Sequence, residues 1–158
     1  MANSYADYLI DHSGIDWSKT LTSWSWMLPP QFTVWLVTRC ADLFLVLPDA
    51  TIHHLDVGAG TLTKVAESRE EFSTLAEVED NAKQWFMIPL VDRIVAAGVE
   101  LRQGQCYGFK TPPVLNGNYT VENVAPLPLR DYLAAYGLIH EQIQELADGS
   151  RVVLKVVE

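Results

Sequence analysis

The sequence predicts an α+β fold, in which a mainly antiparallel β-sheet has helices packed against it. The first observation is a series of four short runs between residues 32 and 65 that are rich in β-branched and aromatic residues. The runs are Phe32–Val37, Leu43–Leu47, Thr51–Val57 and Thr61–Val65. The turns between them are short, which favours an antiparallel meander. The second observation is that helical patterns follow as a block and do not alternate with the strands, which is typical of α+β proteins.

Helical patterns begin near residue 68. Ser68 and Glu71 have the spacing of a capping box, which predicts that a helix starts at this point. Asp80 is predicted to cap a second helix, and Pro89 fits the first turn of a third. Gly98 would end that third helix. Its predicted apolar face consists of Leu90, Val91, Ile94 and Val95.

The remaining elements are predicted from shorter patterns. A strand is expected at Gln105–Phe109, followed by a loop, and a helix at Leu129–Ala135. A further amphipathic helix would begin after Gly137 and end at Asp148-Gly149. The predicted elements also include a short N-terminal helix at Ser4–Asp11 and a final strand at Arg151–Val157. The apolar positions of the last helix are Ile139, Ile143 and Leu146.

The length of 158 residues suits a single domain spanning residues 1–158, and no internal repeat is evident. Residues 1–30 are predicted to be an N-terminal extension that packs on the core of this domain. The reason is their aromatic content, since Trp17, Trp24 and Trp26 are followed closely by Trp35. The alternative is that some of these aromatic side chains are exposed and serve as binding anchors.

The charge balance is acidic. Lys and Arg number 11 and Asp and Glu number 20, which gives a formal net charge of −9. Direct binding to nucleic acid is therefore not expected, because phosphate groups attract the opposite charge. The acidic surface predicts a basic protein partner, or else it only maintains solubility.

The sequence indicates a cytoplasmic protein without a membrane partner. The first residues lack a basic region followed by an apolar run and a cleavage site, and no apolar stretch reaches membrane-spanning length. The two cysteines, Cys40 and Cys106, lie in apolar, strand-like surroundings. Such positions favour buried, reduced thiols over a disulfide bridge.

No metal or cofactor site is predicted. In His53-His54-Leu55-Asp56, only His54 and Asp56 would lie on one face of a strand, and two ligands are too few for a metal centre. His140-Glu141 starts like a zinc-protease helix, but Gln144 stands where the second histidine is required.

No catalytic grouping is evident either. Neither Cys40 nor Cys106 has a sequence signature of a positioned base, so both are expected to fill core space. Gly58-Ala59-Gly60 is interpreted as a hairpin turn, since it joins two predicted strands and does not open a helix. An enzyme remains an alternative hypothesis if the fold assembles His54, Asp56, His140 and Glu141 into one site.

Several stretches of the chain, in order, resemble a known family. They are Ala41-Asp-Leu-Phe-Leu-Val46, Leu55-Asp-Val-Gly-Ala-Gly-Thr61, Ser68-Arg-Glu-Glu-Phe72, Ile88-Pro-Leu-Val-Asp92, Gly104 to Val124, and Gly137-Leu-Ile-His-Glu-Gln-Ile143. The chain is similar in these stretches to small bacterial immunity proteins that protect against DNase effectors of the type VI secretion system, and to the related GAD-like family. Ala41 departs from the family pattern, which usually has Gly before Asp-Leu-Phe, so a reshaped turn is expected there.

The resemblance implies a non-enzymatic protein that neutralises a cognate antibacterial toxin, which we expect to be a basic nuclease effector. Two surfaces are candidates for the toxin contact. The first is an acidic helical face with Glu70, Glu71, Glu77, Glu79 and Asp80. The second is the loop that Pro112 and Pro113 stiffen, with Lys110, Asn116, Asn118 and Tyr119. The alternative is a small regulatory or scaffold module that binds a protein unrelated to toxins.

Overall fold

The structure is a computed structural model that describes residues 5–144 and residue 146. Its main sheet has four strands in chain order, and each strand pairs antiparallel with the next. The strands are β1 (Thr33–Val37), β2 (Leu43–Val46), β3 (Ile52–Asp56) and β4 (Thr61–Ala66). The helices are α1 (Trp17–Thr20), α2 (Arg69–Ala76), α3 (Glu79–Trp85), α4 (Ile88–Ala96) and α5 (Leu129–Ile143). The predicted meander and the α+β class are confirmed.

The main sheet is buried on both faces along β2. Successive side chains of a strand point to opposite faces. Leu43 and Leu45 therefore lie in the main core with Leu55, whereas Phe44 lies in a second, smaller core with Ile52. A strand that is buried on both sides needs a continuous apolar sequence. This requirement explains why the run from residue 43 to residue 46 contains no polar residue.

The turn between β1 and β2 holds Ala41 at a backbone angle that favours glycine. Ala41 has a φ of 71° and its side chain is fully buried. Thr38 closes the turn from both sides: its N–H donates to the Asp42 carbonyl at 2.9 Å, and its hydroxyl accepts the Asp42 N–H at 3.0 Å. The left-handed conformation of an alanine costs about 1 kcal/mol. These hydrogen bonds hold the turn despite that cost.

Helices α2 and α3 cover part of the second face of the sheet. The rings of Phe72 and Phe86 contact Phe44, with centroid distances of 4.9 Å and 5.7 Å. The Ser68 hydroxyl accepts the N–H of Glu71 at 3.1 Å, so the predicted start of α2 is confirmed. The Glu71 carboxylate accepts the N–H of Glu67, one residue earlier than a capping box requires.

Two details of the helix predictions are wrong. Val78 precedes α3 at the capping position, and Asp80 lies inside the first turn, where its charge favours the helix dipole. In α4, Pro89 lies in the first turn, and Leu90, Val91 and Ile94 are buried as predicted. Val95 is 50% exposed, because it lies at the edge of the apolar stripe.

A second, two-stranded sheet contains one predicted strand and one that the sequence analysis missed. β5 (Gln105–Phe109) has the predicted bounds, and it pairs antiparallel with β6 (Val124–Pro128). β6 was not predicted because it contains Pro126 and Pro128. Proline has no N–H to donate to a neighbouring strand, so its presence argues against a strand. β6 tolerates the two prolines because it pairs with β5 on one side only.

Helix α5 is continuous where two separate helices were predicted. It runs through Gly137, which packs closely against Ser23. A Cβ at position 137 would overlap the Ser23 hydroxyl and carbonyl. The indole N–H of Trp26 also donates to the Gly137 carbonyl at 3.2 Å. The glycine therefore serves close packing of the N-terminal segment and does not end the helix.

The N-terminal segment is joined to the main core. Trp24 is completely buried, and its indole N–H donates to the Leu133 carbonyl at 2.8 Å. The N–H of Ile10 donates to the Val37 carbonyl at 2.8 Å, which extends the edge of the main sheet. The helix predicted at Ser4–Asp11 is a single 3-10 turn over Tyr5–Tyr8 within the described residues.

Two predicted features lie outside the described residues: the helix end at Asp148-Gly149 and the strand at Arg151–Val157. Among the residues that the structure describes, none belongs to a helix that is long and apolar enough to cross a membrane.

The turn between β3 and β4 gives a stability prediction. Gly60 has a φ of 73°, and a Cβ there would overlap the ring of His140. We expect Gly60→Ala to lower the free energy of unfolding by about 3 kcal/mol, from backbone strain and displacement of His140. Gly98→Ala is the matched control, since Gly98 has a φ of 82° with no atom near its Cβ position. Urea unfolding of both variants measures the difference, and equal losses would contradict the packing role.

Candidate functional site

A cleft of about 550 Å³ lies between the main sheet and the helices α3 and α4. Three parts of the chain form its walls. The sheet wall consists of His54, Asp56, Thr61 and Thr63, the helix wall includes Lys83, Gln84, Trp85 and Arg93, and Tyr119 comes from the loop between β5 and β6. The predicted strand residues His54 and Asp56 thus share a site with Tyr119 of the predicted contact loop.

The sheet wall is supported by Asp42, which the sequence analysis did not identify. Asp42 is 1% exposed, and its carboxylate accepts two hydrogen bonds. The Nε2–H of His54 donates to Oδ2 at 3.0 Å, and the N–H of Val57 donates to Oδ1 at 3.0 Å. The ring of Phe44 stacks on the imidazole with a centroid distance of 4.7 Å. The side chain of His54 therefore has one fixed orientation.

The pKa values of Asp42 and His54 are both raised. Burial raises the pKa of Asp42 to about 6, although the hydrogen bonds from His54 and Val57 oppose the rise. For His54, burial favours the neutral ring, but the hydrogen bond and charge of Asp42 outweigh it and raise its pKa. When both side chains are ionised, they form a buried ion pair with no net charge.

The Nδ1 atom of His54 is open to the cleft. Nε2 is occupied by Asp42, and among the described residues nothing bonds to Nδ1. Every buried side-chain nitrogen and oxygen in the described part of the chain has a partner, so an unpartnered Nδ1 must be in contact with solvent. His54 keeps 13% side-chain exposure and lines the cleft. The cleft therefore offers a positioned imidazole nitrogen to a binding partner.

The structure does not bring His140 and Glu141 to this cleft. His140 is buried, and its Nε2–H donates to the Val57 carbonyl at 2.8 Å. Burial lowers the pKa of His140. Glu141 is exposed on α5. His54 and Asp56 thus share the cleft, whereas His140 and Glu141 lie elsewhere. No group of three potential metal ligands occurs within residues 5–144 and 146.

The glycine turn connects these two histidines. Gly58-Ala59-Gly60 joins β3 and β4 as predicted, and Asp56 accepts the N–H of Ala59 at 3.0 Å. Val57, which precedes the turn, donates its N–H to Asp42 and accepts the Nε2–H of His140. One peptide segment therefore links the wall of the cleft to α5.

Both cysteines are free and buried, as predicted. Burial raises the pKa of Cys40 well above its ordinary value and that of Cys106 to about 12. A protonated, enclosed thiol is a poor nucleophile. The two side chains fill space in the main core.

The predicted acidic face is fully exposed on α2, α3 and the residues between them, but its carboxylates are not equivalent. Glu71 accepts the N–H of Glu67, and Glu79 forms an ion pair with Lys83 at 2.9 Å. In the described part of the chain, no cation pairs with Glu70, Glu77 or Asp80. These three residues are the uncompensated charges of the face.

The predicted contact loop is held rigidly by Asn123. Its amide donates to the carbonyls of Thr111 and Asn118, both at 2.9 Å, and its oxygen accepts the Thr111 N–H at 2.9 Å. Asn116 adopts a positive φ of 70°. A Cβ at Gly117 would overlap the Thr111 carbonyl. Lys110, Asn116, Asn118 and Tyr119 are exposed on this framework.

The fold and these surfaces define a small, acidic α+β protein with a polar cleft beside an ordered loop. A model of the family described as "T6SS immunity protein Tdi1, C-terminal" matches residues 66–140. The match covers just under half of the chain and supports the resemblance to type VI secretion immunity proteins. Residues 66–140 are thus similar to the C-terminal part of this immunity family. No curated protein matches the chain.

Asp42 gives the second stability prediction. Asp42→Ala leaves the Val57 N–H and the His54 ring without their buried partner, and we expect a loss of about 3 kcal/mol in the free energy of unfolding at pH 7. Asp42→Asn is the matched control, because its amide oxygen still accepts the Val57 N–H. Chemical unfolding should show a clearly smaller loss for Asp42→Asn. Equal losses would show that the hydrogen bond from Val57 is unimportant.

The Asp42 carboxyl also predicts a pH dependence. Its folded pKa of about 6 lies above the ordinary value of 3.8, so the folded state binds the proton more tightly. The resulting stabilisation is complete below about pH 4 and is lost as the pH rises through 6. The stability of the native protein relative to Asp42→Asn should therefore fall by about 3 kcal/mol between pH 4 and pH 7. A difference that stays constant or rises over this range would contradict the assignment.

Proposed function

We propose that the protein is a non-enzymatic immunity protein that binds and neutralises a cognate antibacterial toxin in the cytoplasm. The family match over residues 66–140 carries the proposal. This stretch contains α2, α3, α4 and the Asn123-held loop, so it includes both candidate contact surfaces. The two free, buried thiols fit a reducing compartment.

The toxin is proposed to be a nuclease with a basic substrate groove. The acidic face presents Glu70, Glu77 and Asp80 without compensating cations in the described part of the chain. A face of this kind attracts a basic groove at long range and competes with the phosphate backbone for it. The net charge of −9 acts in the same direction. The arrangement supports neutralisation by covering the groove, with Glu71 and Glu79 at the margin of the contact.

The Asn123-held loop is the second proposed contact, through Lys110, Asn116, Asn118 and Tyr119. Because its backbone is already fixed by Asn123 and Gly117, little conformational entropy is lost when a partner binds. Tyr119 is 47% exposed and offers an aromatic ring, which is the type of side chain that often dominates binding energy.

A role without catalysis is supported by the state of the candidate nucleophiles and bases. The Cys40 and Cys106 thiols are buried with raised pKa values. The imidazole of His140 is buried and bonded to the Val57 carbonyl. We propose no cofactor.

Co-expression with the product of the neighbouring gene tests the proposal. We expect the toxin alone to kill the host, and we expect survival and a stable co-purified complex when this protein is present. Killing without complex formation would reject the immunity proposal. Recovery of a stable complex with a host protein instead, in cells that lack the toxin gene, would identify a regulatory or scaffold module.

The acidic face gives a quantitative prediction for that complex. The triple change Glu70→Gln, Glu77→Gln and Asp80→Asn should slow association with the toxin about tenfold at low salt. The effect should shrink at high salt because screening weakens steering between exposed charges. Stopped-flow or surface binding measurements at two salt concentrations give the association rates.

A matched control makes the same charge change elsewhere on the surface. Glu100, Asp131 and Glu141 are exposed and lie outside both proposed contacts. Their conversion to Gln, Asn and Gln should change the rate by less than about threefold. Equal slowing by the two triple variants would show that only net charge matters and that the acidic face is not the contact.

A further inference from the structure

The carboxylate of Asp56 is only partly used by the fold. One oxygen accepts the Ala59 N–H at 3.0 Å, which stabilises the glycine turn. Within residues 5–144 and 146, no cation pairs with Asp56, although Lys83 and Arg93 line the opposite wall of the same cleft. Lys83 is bound to Glu79. The sheet wall therefore presents a carboxylate whose charge is not balanced by an ion pair.

Tyr119 forms the side of the cleft next to this carboxylate. Its ring packs edge-on against Phe109 with a centroid distance of 5.2 Å, which fixes its position. Burial raises the pKa of Tyr119, and the charges of Asp56 and Asp42 raise it further, without any basic group that lowers it. The corner between Tyr119 and the sheet wall is therefore acidic.

The other groups beside Tyr119 are polar, so the charge of this corner comes from Asp56, whereas Arg93, which has no carboxylate partner in the described part of the chain, lies on the helix wall of the same cleft. The Asp42–His54 pair is neutral overall when both residues are ionised. His54 presents Nδ1 to the cleft, and the side chains of Thr61 and Thr63 are exposed on the neighbouring strand. A cation placed here would meet the Asp56 carboxylate, hydroxyl groups, the imidazole of His54 and the Tyr119 ring.

We propose that this corner receives an arginine or lysine side chain of the toxin, held between the Asp56 carboxylate and the Tyr119 ring. The proposal rests on the proposed immunity function and specifies the chemistry of its partner. A cation that contacts both a carboxylate and an aromatic face gains an ion pair and a cation–π interaction. The cleft of about 550 Å³ is larger than one side chain, so it has room for an arginine or a lysine.

The first experiment uses the co-purified complex. Asp56→Asn keeps an oxygen for the Ala59 N–H but removes the charge, and Tyr119→Ala removes the aromatic wall. We expect each to weaken toxin binding at least about tenfold, which corresponds to the loss of one charge-assisted contact. Tyr119→Phe keeps the ring and should change affinity less than about threefold. Glu100→Gln is the charge control, and thermal unfolding confirms that each variant is folded.

The outcomes separate this inference from the immunity function. If the complex forms and Asp56→Asn binds as tightly as the native protein, the cleft inference is overturned and the immunity function stands. If Asp56→Asn and Glu100→Gln weaken binding equally, the effect is one of net charge and the inference is again overturned.

A second experiment does not depend on the toxin. The blocked tripeptide acetyl-Gly-Arg-Gly-amide is titrated into the protein, and NMR shifts are followed at Asp56 and Tyr119. We expect saturable shifts that are lost in Asp56→Asn and absent with acetyl-Gly-Gln-Gly-amide. Equal shifts with both peptides, or no shifts in this corner, would overturn the inference even if the neighbouring gene product does not bind.

Discussion

The buried carboxylate of Asp42 is the constraint on which the arrangement of the cleft depends. A carboxylate with 1% exposure must have hydrogen-bond donors close by, and the fold supplies the His54 ring and the Val57 N–H. These bonds fix the side of β3 that faces the cleft and the start of the glycine turn. Because the Val57 carbonyl also accepts the Nε2–H of His140, the same segment fixes α5 against the sheet. The strained turn at Ala41 places Asp42 at the centre of these contacts.

Most of the fold follows from local sequence patterns. The four strands of the main sheet, the cap at Ser68 and Pro89 in the first turn of α4 were predicted because each depends on neighbouring residues only. The errors arose where a distant contact decides the local structure. Gly137 stays inside α5 because Ser23 packs against it, and β6 forms despite its prolines because β5 pairs with it.

The candidate site was predicted only in parts. His54 and Asp56 were predicted to share one face of a strand, and Tyr119 to be a contact residue of the loop, but no local pattern indicates that the three residues border one cleft. Asp42 was overlooked as a site residue, although a carboxylate within an apolar run such as residues 40–47 is unusual and indicates a buried partner. The enzyme hypothesis combined His54 with His140, but the Val57 peptide separates them.

The loop held by Asn123 has a consequence for how specificity changes during evolution. Its shape depends on Asn123, Gly117 and the buried Pro112, whereas Lys110 and Asn118 face outward. The side chains at these outward positions therefore do not determine the shape of the loop. They can be exchanged by mutation while the backbone stays in place, so recognition of a new antagonist does not require a new fold. Under the proposed immunity function, such a division would let the contact surface diversify at little cost in stability.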